Sequence, residues 1–67
     1  MKDHPFTDAK HGDEFMIDGR IYLLVQSHEN VRTYDIYLAE HCMRVQSRLN
    51  IHAARKWLAQ RAGYLDD

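Results

Sequence analysis

Residues 50–65 read NIHAARKWLAQRAGYL, and this stretch decides the fold because it predicts an amphipathic helix. Asn50 is a favoured N-cap residue, and Gly63 stands where a helix commonly ends. After Asn50 apolar residues recur at spacings of about three and four, at Ile51, Ala54, Leu58, Ala62 and Leu65. Trp57 widens this apolar side. The opposite side is polar and basic, with His52, Arg55, Lys56 and Gln60.

The preceding residues 39–49 fit two patterns. An apolar stripe at Leu38, Cys42, Val45 and Leu49 suits a helix, whereas alternation of Met43, Val45 and Leu49 with Arg44, Gln46 and Arg48 suits a strand. Most of these residue types are good helix formers and only Val45 is β-branched, which favours a helix. The stripe is out of phase with the one after Asn50, so we expect a break around residues 47–50 and two short helices.

Further back, Asp18-Gly19 predicts a two-residue type I′ turn between apolar runs. This turn pairs Ile17 with Arg20, Met16 with Ile21, and Phe15 with Tyr22. Residues 21–26 and 31–38 are rich in strand formers, with a polar loop at residues 27–30.

The predicted fold class is therefore α+β, a three-stranded antiparallel β-meander followed by two short C-terminal α-helices. Residues 1–67 form a single small domain. It consists of a flexible N-terminal arm (1–12), the meander (13–38) and a helical part (39–63).

The faces of the meander follow if Gln26 pairs with Val31. The face expected to lie under the helix holds Met16, Ile21, Leu23, Val25, Tyr34, Ile36 and Leu38. The other face holds Phe15, Ile17, Tyr22, Leu24 and Tyr37, with Thr33 and Asp35 among them. Both faces are apolar, yet the chain is too short to cover both, and an uncovered apolar patch usually marks an interface.

The size and cysteine content of the chain also favour an interface with another chain. A core in a 67-residue chain rarely contributes more than about 3–5 kcal/mol without help. Cys42 is the single cysteine, so an internal disulfide is excluded and a cytoplasmic location is expected. Neither a signal-like apolar run nor a stretch of about 20 apolar residues occurs, so no membrane association is expected. Self-association or partner binding is the expected additional source of stability.

The charges are unevenly distributed. Residues 1–40 carry four basic and eight acidic side chains, a net charge of −4, whereas residues 41–67 carry five basic and two acidic ones, a net charge of +3. This polarity suits either an anionic partner or the packing of the two halves on each other.

Residues that could support catalysis or metal binding show no matching arrangement. The five histidines (His4, His11, His28, His41 and His52) lack helical i, i+4 pairing, and Cys42 has no second cysteine. A glycine-rich phosphate loop is also missing. We therefore expect no catalytic residues, no metal, no cofactor and no enzymatic activity.

The favoured function is that of a small non-enzymatic regulatory or inhibitory protein that binds another protein stoichiometrically, as a homodimer. Interfaces favour Tyr, Trp and Arg, so the predicted interface residues are Phe15, Arg20, Tyr22, Leu24, Tyr37, Trp57 and Arg61.

The alternative function is that of a small DNA-binding regulator. The two predicted helices would form a helix-turn-helix-like arrangement, with the basic helix 50–62 facing nucleic acid. Its predicted contacts are Arg48, Asn50, His52, Arg55 and Lys56.

Overall fold

The computed structural model describes residues 4–64. Within them the chain forms four strands, a 3₁₀ turn and one α-helix, in the order β1 (Glu14–Ile17), β2 (Arg20–Gln26), β3 (Tyr34–Leu38), the turn (Ala39–His41), β4 (Met43–Leu49) and α1 (Ile51–Arg61). The strands form an antiparallel sheet in the order β1-β2-β3-β4. The α+β class is as predicted, but the prediction of three strands and two helices is wrong.

The first hairpin has the predicted register. Ile17 pairs with Arg20, Met16 with Ile21, and Phe15 with Tyr22. The turn residues Asp18 and Gly19 have φ angles of 54° and 78°. Positive φ at both central positions is what a type I′ turn requires, and its twist matches that of the flanking strands.

The second hairpin does not have the predicted register. Gln26 pairs with Tyr34 instead of Val31, so the loop covers residues 27–33. Local hydrogen bonds hold this loop: Ser27 Oγ accepts from the backbone N–H of Glu29, and Asn30 Oδ1 accepts from that of Arg32. Such side-chain bonds compete with strand pairing. The pairing is thus shifted by three residues along β3. Because side chains alternate between the two faces and three is an odd number, each face of β2 shares its side of the sheet with the β3 side chains that were predicted for the other side.

Residues 43–49 form a strand, which corrects the predicted helix over residues 39–49. Pairing with β3 buries Val45 and Leu49 partly against the core. The strand is irregular, with register shifts on both sides of Ile36, and Arg48 has a φ of 58°. Asp35 Oδ1 accepts a hydrogen bond from the Arg48 backbone N–H at 3.2 Å. Pairing and packing thus outweigh the modest helix propensity of this segment.

The helix α1 begins and ends as predicted. Asn50 Oδ1 accepts from the Ala53 backbone N–H at 2.7 Å, which caps the N-terminus. At the other end Gly63 has a φ of 86°, and the backbone N–H groups of Gly63 and Tyr64 bond to the carbonyls of Gln60 and Ala59. This is a Schellman motif. The predicted last apolar position, Leu65, lies outside the described residues.

The helix packs on the face opposite to the one predicted. The buried core comprises Phe6, Ala9, Ile17, Tyr22, Leu24, Ile36, Leu38, Ala54, Leu58 and Ala59. Residues 4–12 are not a loose arm, because Phe6 and Ala9 are 3% and 1% exposed. Arg55 fixes this segment through bonds from Nε and Nη2 to the Ala9 carbonyl oxygen, at 3.0 and 2.8 Å. Among the described residues, no helix has both the length and the apolar character needed to cross a membrane.

Candidate protein-binding surface

The sheet residues predicted to form an interface are divided between the two faces. Tyr22 is 3% exposed and Leu24 is 0% exposed, and both belong to the core. Phe15 is partly buried on the same face, where the Phe6 ring packs edge-on against it at a centroid distance of 4.9 Å. Tyr37 is partly exposed on the opposite face. The predicted patch therefore does not exist as one surface.

The other predicted interface residues lie around the hydroxyl end of Tyr22 or at the first turn. Trp57 is partly buried and packs edge-on against the Tyr22 ring at 5.7 Å. Arg61 Nε donates to Tyr22 Oη at 3.4 Å. This hydrogen bond, with a smaller contribution from Asp18, raises the pKa of Arg61. Arg20 is exposed at the start of β2.

Two of the residues predicted to contact nucleic acid have structural roles instead. The Asn50 side chain caps α1. The Arg55 guanidinium is turned inward to the Ala9 carbonyl and is partly buried. The Asn50 side chain and two of the five N–H donors of Arg55 are therefore engaged in contacts that hold the fold together.

The remaining three do not form a helix-turn-helix surface. Arg48 is exposed on the irregular part of β4, whereas His52 and Lys56 are exposed on α1. Because residues 43–49 form a strand, a first helix is missing from the described part of the chain. The predicted helix-turn-helix arrangement is therefore wrong.

The face of the sheet away from α1, here called the helix-free face, is apolar at its centre. Cross-strand partners share a face, so the register assigns to it Glu14, Met16, Ile21, Leu23, Val25, Asp35, Tyr37 and Arg44. Met16 is 71% exposed, and Ile21, Leu23 and Val25 are partly exposed. These apolar residues were predicted to be core, and the three-residue shift in the second hairpin explains the exchange.

A row of four side chains crosses the helix-free face from one edge to the other. Glu14 pairs with Leu23, Leu23 with Tyr37, and Tyr37 with Arg44. Both end residues are exposed, whereas Leu23 and Tyr37 in the middle are partly exposed. The row therefore has an acid at the β1 edge, a base at the β4 edge and an apolar centre.

A concavity of about 400 Å³ lies on this face, and its lining includes Leu23, Val25, Tyr37 and Cys42. A second, more polar concavity of about 640 Å³ adjoins it and shares Asp35 and Tyr37 in its lining. Asp35 is held in place by the Arg48 backbone N–H and by Arg44 Nη1 at 3.9 Å. The surface thus combines an apolar floor with a polar rim, as protein interfaces do.

The sequence contains one signal that points to this face. Six of the seven residues between positions 27 and 33 are polar, which suits a long loop better than the start of a strand. Val31, the exception, is 67% exposed. Starting β3 at Tyr34 aligns its apolar residues with Tyr22 and Leu24 and leaves the opposite face uncovered.

The described residues bring together no metal-type cluster. Within residues 4–64, no three His, Cys, Asp or Glu side chains are arranged so that they could hold an ion. Cys42 is an exposed free thiol that follows the 3₁₀ turn with a φ of 50°. Comparison with known proteins found no matching family model, no matching curated protein and no matching solved structure.

Proposed function

We propose that this chain is a small non-enzymatic regulatory or inhibitory protein that acts by stoichiometric binding to another polypeptide. The binding surface would be the helix-free face. The observation that supports this proposal is the position of Met16, Ile21, Leu23 and Val25, which lie side by side on β1 and β2 with α1 on the opposite side of the sheet.

An apolar sheet face of this kind is unfavourable in water. Antiparallel sheets with one solvated face normally alternate apolar and polar residues, so that the solvated side is polar. Here both sides of β2 are apolar, with Tyr22 and Leu24 beneath the helix and Leu23 and Val25 outside. Burial contributes about 25 cal/mol per Å² of apolar area, so covering this side with a partner is favourable.

The distribution of residue types on the face also suits binding. Tyr37 stands at its centre with an aromatic ring and a hydroxyl group, and Arg44 lies beside it. Tyr and Arg are enriched among residues that contribute most to interface affinity, because they combine large contact area with polar ends. Glu14 supplies an acidic group at the β1 edge, where hydration limits its desolvation cost.

Nucleic-acid binding receives less support than protein binding. Its predicted residues are dispersed between β4 and α1, and the Arg55 guanidinium is already engaged with Ala9.

The exposed thiol of Cys42 is compatible with the reducing cytoplasm that we propose as the location.

Site-specific photo-crosslinking tests the proposed function. A benzophenone amino acid replaces Val25 on the helix-free face in one variant, and Lys56 on the outer side of α1 in a matched control. After irradiation in the natural host and nuclease treatment, we expect a discrete protein adduct from the Val25 variant but none from the Lys56 variant. Adducts to nucleic acid from Lys56, with no protein adduct from Val25, would overturn the proposal.

A further inference from the structure

We infer that the polypeptide that covers the helix-free face is a second copy of this chain, related by a two-fold axis nearly parallel to the strands. The inference rests on the proposed function because it takes the helix-free face as the binding surface, and it assigns that face to self-association. In this arrangement Glu14 of each copy lies opposite Arg44 of the other.

The spacing of the row across the sheet supports this symmetry. Glu14, Leu23, Tyr37 and Arg44 stand on four consecutive strands. Neighbouring strands are about 4.8 Å apart, so the acid and the base are separated by about 14 Å. The midpoint lies between Leu23 and Tyr37, and the two opposite charges are equally distant from it.

Rotation about a two-fold axis along the strands reverses the order of the strands in the second copy. The row of four residues in one copy then lies directly opposite the same row in the other copy. The β1 edge of one copy then faces the β4 edge of the other, which brings Glu14 to Arg44 twice. Leu23 of each copy meets Tyr37 of the second copy. The same residues contact one another reciprocally, as an isologous interface requires.

A two-fold axis perpendicular to the strands would do the opposite. It would place β1 over β1 and β4 over β4, so that Glu14 faces Glu14 and Arg44 faces Arg44. Like charges in contact across an interface cost several kcal/mol. The charge pattern therefore selects one of the two face-to-face arrangements.

The selected arrangement also matches the apolar residues of the Ile21 row, and it places Val25 of each copy opposite Asp35 of the other. Ile21 pairs with Met16 on β1 and, by continuation of the β2–β3 register, stands beside Ala39. The rotation sets this apolar row against itself. Two sheets packed in this way lie about 10 Å apart with strands crossing at about −30°.

The existing contact between Arg44 and Asp35 does not prevent the new one. The two side chains approach to 3.9 Å, and the Arg44 side chain is 58% exposed. A guanidinium has five N–H donors, so it can face Asp35 on its own sheet and Glu14 of the second copy together.

The surface area of the chain limits what a dimer interface can bury. Stable interfaces bury about 800 Å² on each partner, which here would be about one sixth of the total surface of 4979 Å². Area alone does not determine affinity, so self-association is tested over a wide range of concentration.

Mixing two charge-reversal variants tests the inference. Sedimentation equilibrium of the full chain, from micromolar to millimolar concentration, should show a dimer for the wild type. Glu14→Arg and Arg44→Glu should each weaken self-association by about tenfold or more, because each homodimer then contains two like-charge contacts. An equimolar mixture should form a 1:1 heterodimer, because both contacts are again of opposite charge.

A matched control and a fold check accompany the mixture. Lys56→Glu changes the charge by the same amount on the exposed side of α1 and should leave dimerisation unchanged. Far-UV circular dichroism shows whether each variant keeps the fold.

Two results would overturn the inference: a wild type that is monomeric throughout, or variants that show no gain on mixing. A monomer that still gives a protein adduct at Val25 would refute the second copy as partner and leave the proposed function standing. A monomer without such an adduct would refute both.

Discussion

The Arg55 guanidinium donates two hydrogen bonds to the Ala9 carbonyl oxygen, from Nε at 3.0 Å and from Nη2 at 2.8 Å, and so joins α1 to the N-terminal segment. The two residues are 46 positions apart in the chain. The contact places Ala9 and Phe6 against the core, where they are 1% and 3% exposed. Arg55, which the sequence assigns to a basic binding face, therefore links two distant parts of the fold.

We predict that Arg55→Ala destabilises the fold, because the Ala9 carbonyl loses both donors. The expected loss is about 1–3 kcal/mol, the usual cost when a hydrogen bond to a charged group is removed. The neighbouring change Lys56→Ala should stay within about 0.5 kcal/mol, since Lys56 is exposed. Urea denaturation followed by circular dichroism measures both values. Equal losses in the two variants would contradict the assigned role of Arg55.

The two tyrosines on neighbouring strands should respond differently to the same substitution. Tyr22→Asp puts a carboxylate at a position that is 3% exposed, and this cost of several kcal/mol exceeds the roughly 3–5 kcal/mol available to a small core. We expect that variant to be unfolded. Tyr37→Asp lies on the helix-free face, so we expect it to remain folded and to lose dimerisation. Circular dichroism and sedimentation separate the two effects, and a folded Tyr22→Asp would disprove the face assignment.

Asp35 should act mainly through its hydrogen bond to the backbone of β4. Asp35→Ala removes the acceptor for the Arg48 N–H, and we expect a loss of about 1–2 kcal/mol. Asp35→Asn keeps an oxygen there and loses only the 3.9 Å ion pair with the exposed Arg44, which is worth about 0–1 kcal/mol. Chemical denaturation distinguishes the variants. If Asn proved as destabilising as Ala, the charge and not the hydrogen bond would be the important feature.

Asn50 should be replaceable by other capping residues only. We expect Asn50→Ala to cost about 1 kcal/mol, because the Ala53 N–H loses its acceptor at the start of α1. Asn50→Asp should be at least as stable as the wild type, since the first turn of the helix contains no acidic residue and its dipole favours negative charge there. Thermal unfolding measures both, and an unchanged midpoint for Asn50→Ala would show that the cap contributes nothing.

Features set by short-range chemistry could be predicted from the sequence. The register of the first hairpin follows from Asp18-Gly19, and the limits of α1 follow from Asn50 and Gly63. In each case residues within one turn satisfy one another's backbone groups, so distant contacts are not needed to specify the conformation.

The candidate surface could be predicted only in part. The sequence indicates that one face of the sheet is apolar and uncovered, and Tyr37 belongs to the helix-free face as it did to the predicted patch. It does not indicate which face, because Tyr22 and Leu23 are equally suited to a core. The choice depends on the loop at residues 27–33, whose internal hydrogen bonds move β3 by three positions.

The sequence alone therefore determined the α+β class, the first hairpin, the C-terminal helix and the excess of apolar strand surface. Tertiary structure decided that residues 43–49 form a strand, that Phe6 and Ala9 enter the core, and that Leu23 and Val25 face outward. The physical reason is that these choices differ little in local energy. Strand pairing with β3 and burial beneath α1 act between distant parts of the chain, and they select one arrangement.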